Sequence, residues 1–146
     1  MRFLEKILIS ACLIGDNVKY DGKNNYQPKI EQLLEKYELI PFCLEVEGGL
    51  KTPRTPAERK GDKVIDQKGK DVTRNYLQGL DLAINIVNYL NIKIAILKDK
   101  SPACGVHQIY DGTFSHKTIN KSGVLAEALI AKGIKVLSED EIDTLL

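Results

Sequence analysis

The sequence predicts an α/β fold: a three-layer, Rossmann-like or flavodoxin-like domain on a small, mostly parallel sheet of about four strands. Two observations carry the prediction. Four short apolar runs, "KILIS", "LIPF", "IKIAILK" and "IKVLS", are separated from one another by segments with helical spacing. Alternation of this kind implies parallel strands joined by right-handed crossovers, with helices on the faces of the sheet. The second is size: 146 residues, 43% hydrophobic and 28% charged, are enough for one ordinary soluble core. No internal repeat or linker interrupts the chain, so a single domain over residues 1–146 is expected.

In chain order, Lys6 to Ser10 reads as a buried strand and "ACLIGDNVKYDG" as the loop after it. Pro28 to Tyr37 places Ile30, Leu33 and Leu34 on one helical face, with proline near the start. Leu39 to Phe42 is a second strand, and Pro41 assigns it to an edge because proline donates no ladder hydrogen bond. "LEVEGGLKTPRTPAERKGDK" is a long Gly-, Pro- and charge-rich loop, and such loops inside compact domains are functional or mobile. "KVIDQKGKDVT" suggests a small hairpin around Lys68 and Gly69. The strongest helix signal follows, capped by Thr73 and presenting Leu77, Leu80, Ile84 and Val87 at helical spacing. Ile92 to Lys98 gives a third strand, and "VHQIYDGTFSHK" another hairpin or loop. A helix capped by Ser122 and closed by Gly133 leads to a fourth strand, "IKVLS", and a terminal helix, "EDEIDTLL".

Composition excludes some classes of function. A net charge of +1 is not the footprint of a protein that wraps duplex nucleic acid, although a small or single-site nucleic-acid partner stays open. The apolar runs are too short to span a membrane, and Glu5 and Lys6 inside the first run argue against a signal peptide. A cytoplasmic location, without a membrane partner, is the expectation. No G-x-x-x-x-G-K and no G-x-G-x-x-G follow the strands, which disfavours ordinary nucleotide-phosphate binding.

Three cysteines, an odd number without a C-x-x-C unit, argue against a disulfide framework. Each stands at or beyond a strand end: Cys12 after the first, Cys43 after the second, Cys104 in the loop after the third. Open parallel sheets bind ligands outside the carboxyl ends of their strands, so the three thiols start from one edge of the sheet. Buried, inert cysteine is the ordinary alternative. Here every cysteine lies in a polar or Gly/Pro-containing loop. Three thiolates without a fourth ligand suit a metal centre with an open position, and soft thiolates favour zinc or an iron–sulfur cluster.

Glu45 and Glu47 follow Cys43 closely and, in an extended segment, point the same way. A carboxylate there is a possible general base toward water. Ser101, three residues before Cys104, either donates a hydrogen bond into the same site or caps a turn. In "KTPRTPAERK", Arg54 between two prolines is expected to be ordered, and Lys51 and Arg59 to be solvated. His107 and His116 have no partner at metal-binding spacing. "KYDG" and "IYDG" read as loop-shaping turns.

"SACLIGDNVKYDG", "PFCLEVEGGLKTPRTPAE", "GKDVT", "ILKDKSPACG", "IYDGTFS" and "SGVLAEALIAKGI", in this order and spacing, resemble the thiouracil desulfidase (TudS) family. The family was formerly one of unknown function, and the likeness spans nearly the whole chain. It implies a Rossmann-like domain holding a 4Fe-4S cluster through Cys12, Cys43 and Cys104, with one iron open, and catalytic roles for Glu45 and Ser101. Two departures are Leu44 where the family usually has proline and Ala103 where it usually has serine. Neither removes a ligand or the acid. The implied reaction is a non-redox desulfuration of a 2-thiouracil-like nucleobase or nucleoside, in which the open iron polarises the thiocarbonyl and takes the sulfide while Glu45 activates water; tRNA is not excluded as a substrate. Competing readings are an iron–sulfur carrier or sensor, a thiolate zinc protein, and a flavin- or nucleotide-binding module with incidental cysteines.

Overall fold

A computed structural model describes residues 3–146; Met1 and Arg2, where the single-domain and leader readings begin, lie outside the described residues. The chain runs β1 (Glu5–Ser10), α1 (Ile30–Leu33), β2 (Tyr37–Phe42), α2 (Leu44–Glu47), β3 (Ala57–Lys60), β4 (Lys63–Asp66), α3 (Thr73–Leu90), β5 (Ile94–Leu97), β6 (Ile109–Tyr110), β7 (Thr118–Ile119), α4 (Val124–Ala131) and β8 (Lys135–Ser138). One 3-10 turn follows β1 at Ala11–Ile14, and a 3-10 helix, Glu139–Leu145, closes the chain.

Four strands form a fully parallel sheet in the order β2-β1-β5-β8. β2 is an edge strand, as Pro41 requires. Side chains alternate across this sheet. Ile7, Ile9 and Ile96 pack on one face with Ile30, Leu33 and Ile142. Leu8, Ala95 and Leu97 pack on the other with Tyr76, Ala83, Leu125 and Leu129 from α3 and α4. The sheet thus has an apolar layer on each side, which gives the expected three layers. β1 lies between β2 and β5, so the chain leaves it first to one side and then to the other. The loops after β1, β2 and β5 therefore open a crevice at the carboxyl edge.

Several local expectations are corrected. The first helix is one turn, Ile30–Leu33, because Tyr37 already pairs with Glu5 in the β1–β2 ladder. The long loop contains an unexpected hairpin that turns at Gly61, pairing Ala57–Lys60 with Lys63–Asp66. The expected hairpin around Lys68 and Gly69 is present as a short one: Ile65 and Asp71 bridge antiparallel, Asp66 N donates to Lys70 O, and Asp66 Oδ1 holds the turn by accepting the N–H groups of Lys68 and Lys70. Thr73 does not cap α3: its Oγ1 accepts from Val64 N, while Asp71 Oδ1 accepts from Thr73 N. Ser122 likewise donates to Val106 O, and Gly123 stands at the start of α4. The segment after Cys43 is a helical turn, α2, and not extended.

The buried face of α3 is Tyr76, Gly79, Ala83 and Val87, whereas Leu77 is half exposed. The cause is α2. A Cβ on Gly79 would overlap the Leu44 carbonyl oxygen, and one on Gly48 would overlap the Asn75 carbonyl oxygen. Two helices that touch backbone to backbone need glycine at the crossing. No helix among the described residues is long and apolar enough to cross a membrane.

Candidate functional site

The crevice is a cavity of about 700 Å³, within the range of small-molecule sites. Cys12, Cys43, Glu45, Ser101 and Cys104 all line it. The strand-end argument thus brings together every candidate site residue except Glu47. In the α2 turn Glu45 and Glu47 diverge by about 200°, which leaves Glu47 exposed to solvent.

Cys12 sits in the 3-10 turn that ends β1, with its thiol accepting from Asn25 Nδ2 at 3.4 Å. Cys43 ends β2 and begins α2, where the backbone N–H groups of Val46 and Glu45 lie beside its sulfur and favour its charged form. Cys104 is the deepest, with the Ser10 hydroxyl beside its sulfur. Burial pushes all three thiols up from their ordinary values, and Cys104 furthest. Charge on Cys43 also raises Cys12, and charge on Cys12 and Cys43 also raises Cys104, so the thiols feel one another across the cavity. Opposing this, Asn25 beside Cys12, the α2 backbone N–H groups beside Cys43 and the Ser10 hydroxyl beside Cys104 favour the charged sulfurs. Donors of this kind favour thiolate and orient it.

The arrangement tests what could be held. Among the described residues no three His, Cys, Asp or Glu side chains are grouped for one metal ion. A zinc ion bonds thiolates at about 2.3 Å and would draw three sulfurs into close contact. The mononuclear zinc alternative is therefore disfavoured, because the three thiols are not grouped closely enough for one ion. A cubane cluster, in which each thiolate binds a different iron, suits ligands spread in this way.

The loop that carries Cys104 is built around Asp99. One oxygen, Oδ1, accepts four backbone N–H groups, from Lys100, Val106, His107 and Gln108. Burial alone would raise the Asp99 carboxyl, but these donors outweigh it and hold the group below its ordinary value. Inside this loop Ser101 Oγ accepts from Ala103 N and Cys104 N, both at 3.1 Å. The expected turn cap is thus present, and Ser101 also lines the cavity. Lys100 holds a left-handed φ of 70° at the entry to the turn. Gly105 is needed because a Cβ there would crowd the Gln108 carbonyl and Ile109.

Glu45 is tethered through one oxygen. Oε2 accepts from the Tyr76 hydroxyl at 2.7 Å and from Arg54 Nε at 3.3 Å. Arg54 is ordered, as expected, by Val18 O, Lys51 O and Thr52 Oγ1. Arg59 is not solvated, which corrects the expectation: it bonds Ser122 O and Glu127 and ties β3 to the start of α4. Lys51 is exposed, in line with it. His116 lines the mouth of the cavity, whereas His107 pairs with Glu141 away from it.

Sequence reasoning missed Ser10, Asn25, Glu58, Tyr76 and Asp99. Buried Glu58 lines the cavity and accepts the N–H groups of Gly112 and Phe114, which pins the β6–β7 loop beside the site. Asp99 carried a usable signal, since aspartate before a Pro/Gly turn often accepts nearby N–H groups. Tyr76 carried none, because a helix period does not reveal what a hydroxyl reaches.

Comparison with known proteins adds three findings. The 2-thiouracil desulfurase family matches the chain over residues 7–141. The uncharacterized protein YbbK of Bacillus subtilis is 37% identical, covering 96% of this chain and 99% of that one. The solved structure of the 4Fe-4S-dependent thiouracil desulfidase TudS is similar at a TM-score of 0.91 and 40% identity, over 97% of this chain and 95% of that one.

Proposed function

The chain belongs to the 2-thiouracil desulfurase family, and from that premise we propose that it exchanges the thiocarbonyl sulfur of a 2-thiouracil-like base or nucleoside for oxygen from water. The observation that carries the reading is the meeting of three thiols from three strand ends with a tethered carboxylate at one cavity. Thiocarbonyl and water give carbonyl and hydrogen sulfide, with no net change of oxidation state.

Cys12, Cys43 and Cys104 would hold a 4Fe-4S cluster. Bound there, it supplies an iron without a protein ligand, a Lewis acid and soft acceptor for sulfur. Ligation takes the thiolate forms and releases the thiol protons. The donors from Asn25, the α2 backbone and Ser10 then support the three charged sulfurs. Glu45 serves as general base: Oε1, the oxygen that Tyr76 and Arg54 leave alone, takes a proton from the water that attacks the sulfur-bearing carbon. Ser101, its oxygen already accepting two N–H groups, donates its hydroxyl proton toward the reacting group. Phe42, Pro56, Ala57 and Phe114 give the cavity apolar walls that suit a planar base.

The test is anaerobic reconstitution followed by incubation with 2-thiouracil, reading the loss of thiocarbonyl absorbance and the release of sulfide. Each of Cys12→Ser, Cys43→Ser and Cys104→Ser is expected to lose cluster iron. Glu45→Gln is expected to keep iron and lose turnover by about 10²–10⁴-fold, the usual span for a general base. Full turnover in Glu45→Gln overturns the base assignment. Full iron content in the cysteine variants overturns the ligand assignment.

A further inference from the structure

We propose that Tyr76 is a positioning residue that, together with Arg54, selects which oxygen of Glu45 reacts; this rests on the reading of Glu45 as the base. Tyr76 does not line the cavity. It is fully buried in α3, and its hydroxyl spends its one proton on Glu45 Oε2 at 2.7 Å. Arg54 Nε reaches the same oxygen at 3.3 Å. Among the described residues no donor reaches Oε1. Two donors on one oxygen draw charge toward it and stop the carboxylate from turning, because rotation would break both bonds at once. The other oxygen keeps a fixed direction toward the cavity.

The tether is itself rigid. Arg54 has three further acceptors, Val18 O at 2.8 Å, Thr52 Oγ1 at 3.1 Å and Lys51 O at 3.3 Å. Tyr76 lies one turn before Gly79, where α2 rests directly on α3. A single helix therefore seats the α2 backbone and supplies the hydroxyl for the side chain that α2 carries. Burial and the adjacent Glu45 both keep the phenol protonated, so it stays a donor.

Tyr76→Phe keeps the ring and removes only the hydroxyl. In the reconstituted protein it is expected to lower kcat by about ten- to a hundredfold with KM within about twofold, the signature of a misaimed base in place of lost binding. Iron content and the visible spectrum should stay those of the parent. In a Glu45→Gln background the same change should cost nothing further, because Tyr76 acts only through the carboxylate. A second readout needs neither cluster nor turnover. In infrared spectra of the metal-free protein, the carboxylate band assigned by its loss in Glu45→Gln should shift in Tyr76→Phe. An unchanged kcat, an equal loss in the Glu45→Gln background, or an unshifted band overturns the proposal. Full turnover in Glu45→Gln is a different result, and it overturns the base reading itself.

Discussion

Gly79→Ala separates two opposing effects on one helix. Alanine in a helix interior is favoured over glycine by about 1 kcal/mol, so on α3 alone the change should stabilise. The structure opposes it. The new Cβ would overlap the Leu44 carbonyl oxygen and stand 2.9 Å from Leu44 Cγ, against 3.4 Å or more for ordinary contact. Leu44 would have to retreat by roughly 0.5 Å (the difference between those separations), and its carbonyl by more. A backbone group cannot relieve this by changing rotamer, and overpacking costs about 1–3 kcal/mol. We expect a net loss of about 1–2 kcal/mol. At about 2–4 °C per kcal/mol for a chain of this size, the midpoint should fall by several degrees. Leu44 lies between Cys43 and Glu45, so the displaced α2 carries both with it. A shift approaching 1 Å near reacting groups can cost about a hundredfold in turnover. The assays are thermal unfolding and thiouracil turnover, with Asn85→Ala, exposed on the same helix, as a control that should be stabilised. A raised midpoint in Gly79→Ala with unaltered turnover would refute the close approach of α2 and α3.

Asp99→Asn should destabilise the protein by about 1–3 kcal/mol at neutral pH, since hydrogen bonds to a charged acceptor are lost. Asp99 has a folded pKa below its unfolded value, so its contribution is present above about pH 4 and disappears as pH falls through the lower folded value. Urea unfolding at pH 7 and pH 3 checks this: the gap between parent and variant should close in acid, and a constant gap counts against it. His107 has the opposite sign. Its hydrogen bond to Glu141 raises its folded pKa, so its contribution is full below about pH 6.5 and lost as pH rises through the raised value. His107→Gln should therefore cost under about 1 kcal/mol near pH 6, as for an exposed pair, and nothing near pH 9. Equal stability of parent and variant at pH 6 would contradict the pairing.

Much of the frame was legible from local pattern. Apolar runs of strand length alternating with helical spacing give a parallel sheet, and a parallel sheet puts Cys12, Cys43 and Cys104 at one edge without any local motif. Pro41 placed β2 at the rim for the same kind of reason, since a missing N–H is a property of the residue itself. Capping was less legible: Thr73 and Ser122 spend their hydroxyls on distant backbone, a choice made by neighbours they meet only after folding. The buried face of α3 was read in part: Leu80, Ile84 and Val87 pack on the core as their spacing implies, but Leu77 does not, and glycine at a helix crossing, which marks how near another backbone comes, went unread.

The sequence by itself determined the architecture, the three thiols at the sheet edge and the family likeness, because each depends on periodicity or on residues in a fixed order. Only the tertiary structure decided how the site is aimed. The Oε2 tether of Glu45 joins residues 9 and 31 positions away, and the donor to the thiol of Cys12 comes from Asn25, 13 positions on. Such contacts form when elements pack, and spacing along a chain carries no trace of which atom a side chain will reach.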